Sequence, residues 1–321
     1  LRTPRDGERL RTFRSGDDVE VQLEANYYSG GAVANATVQL VVYQRPFWIL
    51  PAAAREFPWF FAAEEEGDPW RWQGESEVLR QTLTTDVEGR ANVRFPTALD
   101  AQNDFDYRIE ARVTDASRRE ITGAGHVKVA RQSYYVWPKS KHNVHAPGDL
   151  VEIDFDVADA NGQALAAEGV VTVWRERWYR RWRDAGGREF DDAEYRALER
   201  GGRAATVSWT IAAQGYERDK ISSKPLRAGA DGKAKQSFTP ECEGCYVVQW
   251  SSREQDGAPI VAETSVWVAK QDCSELSWRR GALEIVLDRD TLTAGEDATV
   301  MITSANGPCF VLLSVESEDL H

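Results

Sequence analysis

Along much of this chain apolar and polar residues alternate one by one. Val19, Val21, Leu23 and Ala25 are separated by Glu20, Gln22 and Glu24, and Val151, Ile153, Phe155 and Val157 by Glu152, Asp154 and Asp156. Tyr107, Ile109, Ala111 and Val113 alternate in the same way with Arg108, Glu110, Arg112 and Thr114. A period of two puts one face on a core and the other in water, which is how antiparallel sheets read; buried parallel strands would be apolar throughout. Turn residues punctuate the runs at Tyr28-Ser29-Gly30-Gly31, Asp86 to Gly89, Asp159-Ala160-Asn161-Gly162, Ala230-Asp231-Gly232 and Gln255-Asp256-Gly257. Glycine there supplies positive φ, and Asp or Asn bonds its own backbone. The pattern predicts an all-β protein of antiparallel sandwiches rather than a barrel or an α/β fold.

The pattern also repeats. A turn Gly, an acid and an alternating strand occur as Ser15-Gly16-Asp17-Asp18-Val19, Pro147-Gly148-Asp149-Leu150-Val151 and Ala294-Gly295-Glu296-Asp297-Ala298. A second phrase, around Asp86-Val87-Glu88-Gly89 and Asp231-Gly232, leads each time toward a strand, beginning at Tyr107 or Tyr246. The step from Gly16 to Gly148 is 132 residues and that from Tyr107 to Tyr246 is 139, so the unit is a whole domain, too long for a solenoid repeat. We place one sandwich at residues 10–131, a second at 133–271, and the start of a third, truncated unit at 277–321.

Two long interruptions separate strands, and such insertions are usually surface excursions. One runs from about Pro51 to Arg80, with Trp59, Trp70 and Trp72 beside Glu64-Glu65-Glu66. The other spans about Arg175 to Arg203 and pairs the Trp178 to Trp182 segment with a helix-favouring stretch, Asp191 to Glu199. The spacing of four between Trp174, Trp178 and Trp182 predicts the apolar stripe of a turn or helix over the sandwich end. The competing reading is a partner contact through Trp70, Trp72, Trp178 and Trp182, since exposed indoles stack on sugars and anchor proteins.

Composition narrows the partners. In 321 residues with 12 Trp, a formal charge of −13 opposes phosphate backbones and anionic lipid heads, which argues against nucleic acid and membrane surfaces. No apolar run is long enough for a spanning helix. The start at Leu1 and the stop at His321, about 26 residues after Gly295, predict a piece of a longer chain.

Candidate chemistry is sparse. There is no Gly-x-Ser-x-Gly, phosphate loop, Gly-x-Gly-x-x-Gly or His-Glu-x-x-His, so no enzyme and no cofactor are predicted. His142 and His145 could share a metal with Asp149 or Asp154, but further His or Cys ligands are lacking nearby and a solvated lead-in to a strand is preferred. Cys242-Glu243-Gly244-Cys245 could be a redox pair, half a zinc site or a short disulfide. It abuts a strand rather than opening a helix, and Cys273 and Cys309 offer no second C-x-x-C, which favours a structural disulfide or plain thiols. Asp154 and Asp156 share a strand face and could mimic a catalytic or calcium-binding pair; outward acids on a wet face are the simpler account.

Taken together, Phe13-Arg14-Ser15-Gly16-Asp17-Asp18-Val19-Glu20-Val21, the run from Ala25 to Val38, and Tyr107 to Asp115 resemble the alpha-2-macroglobulin family, above all its bacterial members. Leu283 to Asp290, Ala294-Gly295-Glu296 and Val311 to Glu316 resemble the family's domain that introduces the bait segment. The resemblance implies immunoglobulin-like macroglobulin domains forming the framework of a broad-spectrum endopeptidase inhibitor, a protease trap. It further implies proteases and neighbouring domains of the same chain as partners, and a periplasmic or extracellular location, with a lipoprotein anchor on the parent left open. The family's Cys-x-Glu-Gln thioester motif does not occur here, and none of its functional residues maps onto this chain. An extracellular adhesion module using exposed Trp is the alternative.

Overall fold

The computed structural model describes residues 12–28, 30–49, 74–100, 102–270, 283–289, 291–304 and 310–314. The first unit contains β1 (Phe13–Arg14), β2 (Asp18–Glu24), β3 (Thr37–Phe47), β4 (Ser76–Thr84), β5 (Arg90–Pro96), β6 (Asp104–Thr114) and β7 (Glu120–Ala130). One layer is the antiparallel pair β2–β5, the other a five-stranded sheet in the order β1-β7-β6-β3-β4. Alternation decides which side chains meet: Val19, Val21 and Val93 face Leu40, Val42, Tyr107 and Ile109, all buried, while Glu20 and Gln22 stay in water. A second cluster, from Leu23 and Ala25 to Val38 and Val113, extends the core. Residues 50–73, with Trp59, Trp70 and Trp72, lie outside the described residues. Strand β4 opens at Ser76, inside the expected interruption, because Ser76 and Glu77 pair with the far end of the long strand β3.

The second unit repeats the plan with β8 (Tyr135–Ser140), β9 (Val144–His145), β10 (Val151–Ala158), β11 (Ala167–Asp184), β12 (Glu189–Asp191), helix α1 (Asp192–Arg200), β13 (Trp209–Ala228), β14 (Lys233–Phe238), β15 (Gly244–Arg253) and β16 (Pro259–Val268). A three-stranded sheet, β14-β10-β8, packs on a sheet in the order β12-β11-β15-β16-β9, with β13 on β11. Ile153, Phe155, Val173, Val248 and Trp250 are buried between them. Equivalent details recur: Ala25 N–H donates to Gly89 O and Val157 N–H to Gly232 O, each at 2.8 Å. Tyr107 and Tyr246 both bury their rings, which pushes their phenols up, and both tie the hydroxyl to backbone upstream, at Ala98 N (3.1 Å) and Cys242 O (2.8 Å).

A two-stranded ribbon follows, β17 (Leu283–Leu287) with β18 (Val300–Ser304). It copies the register of the second unit's β8–β10 pair. Ser140 faces Ile153 around Gly148 just as Leu287 faces Val300 around Gly295, and each residue stands 147 positions from its counterpart. Both turn glycines hold positive φ, +92° and +95°. In the ribbon the face equivalent to the sandwich core carries Leu283, Ile285 and Leu287, each about half exposed.

Candidate functional site: the aromatic arm and the joints between units

Strand β11 outruns its neighbour. β15 pairs with it only from Val170 to Glu176, whereas β13 follows it to Asp184, so residues 177–184 and 209–217 continue as an arm, which the short β12 joins at Arg181 to Arg183. Trp174, Trp178 and Trp182 lie on this strand and not on a helix or turn. Four is an even number, so a period of two collects the same residues on one face, and the β-branched run Val170-Val171-Thr172-Val173 ahead of them commits the segment to the sheet.

The arm closes its aromatic rings on itself. Trp178 meets Tyr216 edge-on at 5.0 Å between centroids, and Trp182 stacks on Tyr195 at 4.0 Å and 15°. Trp209 stands edge-on to both Phe190 and Tyr195, at 5.1 and 5.2 Å. Indole donors fix the array: Trp182 Nε1 donates to Asp192 Oδ1 (2.9 Å) and Trp209 Nε1 to Ala204 O (3.0 Å). Helix α1 covers the tip and begins with a capping box, Asp191 Oδ1 accepting from Glu194 N–H while Glu194 Oε2 accepts from Asp191 N–H. An open pocket of about 390 Å³ beside it is lined by Phe190, Ala197 and Leu198 with Glu194 and Arg203 at its rim. The remaining sequence-level candidates, Trp70 and Trp72, fall outside the described residues.

The other candidate residues are accounted for locally. Asp154 and Asp156 reach across to Lys235 (3.4 Å) and Lys233 on β14, as charged cross-strand neighbours do. Asp149 Oδ2 accepts from Ala146 N–H at 2.7 Å. Among the described residues no group of three or more His, Cys, Asp or Glu converges to hold a metal ion. Cys242 is exposed and Cys245 buried, and no bond joins the two sulfurs.

The two joints between units rest on buried carboxylates whose partners the sequence did not reveal. Between the sandwiches Glu254 accepts from Ser133 N–H (2.6 Å) and Ser133 Oγ (2.7 Å), and Asp104 accepts from Arg131 N–H (2.8 Å), so both ends of the linker are held. Arg14 and Asp256 add an ion pair at 3.0 Å, and Asn161 Nδ2 donates to Thr12 Oγ1 at 3.1 Å. At the second joint His142 Nδ1 lies 2.6 Å from Asp288 Oδ2, Val144 N–H donates to Asp288 Oδ1 (3.0 Å), and Asn143 N–H donates to Asp288 O (2.7 Å). Val286 and Met301 of the ribbon pack on Cys245 and Trp267, as Tyr216 of the arm also does. Burial pushes the Asp288 carboxyl up, but His142 and the Val144 N–H outweigh it and hold it below the ordinary carboxylate range.

The alpha-2-macroglobulin of Thermotoga maritima is 28% identical over 159 residues, 49% of this chain and 9% of that protein. An alpha-2-macroglobulin homolog of Nostoc sp. is 19% identical over 299 residues, covering 90% of this chain and 14% of the relative. The chain is similar to alpha-2-macroglobulins. It spans only a small part, 9% and 14%, of the two curated relatives. Among solved structures, Escherichia coli alpha-2-macroglobulin in its native conformation aligns with a TM-score of 0.35 and 18% identity over 92% of this chain and 18% of that one. No family model matches. No helix among the described residues is long and apolar enough to cross a membrane.

Proposed function

We propose that this chain is a framework segment of an alpha-2-macroglobulin-like endopeptidase inhibitor acting in the periplasm or outside the cell. The observation that carries the reading is similarity to a curated homolog along 90% of the chain, combined with two sandwiches in series that share turn, β2–β5 and β10–β14 register, and tyrosine placement. In this role the segment binds no protease by itself. Its sandwiches hold the spacing of the parent protein, and the ribbon opens a third unit whose core-equivalent face is offered by Leu283, Ile285 and Leu287. The adhesion reading is not favoured: the rings of Trp178 and Trp182 are engaged by Tyr216 and Tyr195.

The test is functional and uses the full-length gene product. Incubated with an endopeptidase, it should protect a large protein substrate from cleavage, while the isolated 321-residue segment should leave the protease untouched. Unimpaired digestion in the presence of the full-length protein would reject the reading.

A further inference from the structure

Strand β9 belongs by covalent position to the second sandwich, yet it bonds two bodies at once. On one side it runs parallel to β16, with Trp267 N–H donating to Asn143 O (2.7 Å) and Ala269 N–H to His145 O (2.9 Å). On the other, His142, Asn143 and Val144 converge on Leu287 and Asp288 at the end of β17, including Asn143 Nδ2 to Leu287 O at 3.1 Å. The strap is itself braced from within, because His142 O accepts from Ser140 Oγ (2.5 Å) and lies 2.8 Å from His145 Nε2.

We propose that Asp288 is the bolt of a latch between the second sandwich and the β17–β18 ribbon. With the carboxylate seated on the strap the ribbon is docked and covers Cys245; with it removed the ribbon swings away while the sandwich stays folded. Three properties point to this. Among the described residues, hydrogen-bond contacts between the strap, residues 142–144, and the ribbon meet on two consecutive residues, Leu287 and Asp288, and three of these use Asp288 as acceptor or ion partner through its side chain or carbonyl. Among the described residues the apolar contact beneath is made by Val286 and Met301, both only partly buried, which supply little docking energy alone. And the sandwich core around Phe155 and Trp250 shares no residue with the joint.

The test is peptide-resolved mass spectrometry of maleimide labelling on the 321-residue chain. In the unmodified protein Cys242 reacts quickly and Cys245 slowly. Asp288→Ala should raise the Cys245 rate about tenfold to a hundredfold, the range expected for losing hydrogen bonds to a buried charge, with the unfolding midpoint of the second sandwich unchanged. His142→Ala, which leaves the Val144 bond in place, should give a smaller rise. Unchanged Cys245 protection in a folded Asp288→Ala protein would overturn the proposal. So would a loss of amide hydrogen-exchange protection in β10 and β15 of that variant, measured alongside the labelling, since that means the sandwich itself has opened. If Asp288→Ala does not fold, the His142→Ala result decides: no rise in labelling there rejects the latch.

Discussion

A methyl group on Gly89 would lie 2.5 Å from the carbonyl oxygen of Ala25. Gly232 stands even closer to the Val157 carbonyl at the equivalent place in the second sandwich. Both glycines have positive φ, +75° and +72°, and both accept the hydrogen bond that ends the neighbouring strand. Gly89→Ala and Gly232→Ala should each cost about 1–3 kcal/mol, from strain and from displacement of that strand. Chemical denaturation checks this, and each change should lower the stability of its own sandwich only.

Trp182→Ala should melt the tip of the arm. It removes the stack on Tyr195 and the anchor of Asp192 at the start of α1. A nine-residue helix is not stable without such packing. The expected outcome is loss of the helical circular-dichroism signal with both sandwich transitions retained.

Glu254→Ala should loosen the linker. The Ser133 N–H and hydroxyl would lose their acceptor in a poorly solvated site, at a cost of about 1–3 kcal/mol. Glu254→Gln keeps one acceptor and should cost less. Thermal unfolding of the three proteins gives the order directly.

Acid should open the second joint. Asp288 has a depressed folded-state pKa, so its stabilising contribution is complete above the ordinary carboxylate range and disappears as pH falls through the folded value. The groups facing it are His142 and, edge-on to that ring at 6.4 Å, His145; both favour its charged form. Protection factors of β17 amides, referred to the intrinsic exchange rate at each pH, should therefore fall below about pH 4, and Asp288→Asn should remove that dependence.

The sandwiches were readable because each strand states its own inward face: Val19, Val21 and Leu23 need no distant information to announce a period of two. Turn glycines were legible for the same reason. In the arm two periods coincide, because Trp174, Trp178 and Trp182 satisfy both a helix and a strand. His142 was read beside its chain neighbours, but its partner is Asp288, 146 positions away. Neither residue carries a local mark of the pairing, which exists only once the ribbon is seated against the second sandwich.

The strap has one more consequence. Phe13–Arg14 runs beside Val129 and Ala130, and Val144–His145 beside Trp267 and Val268. In both units the short strand just ahead of the Gly-Asp turn is therefore zipped in parallel to the last strand, so tension along the segment that follows loads this pair in shear before it reaches the core.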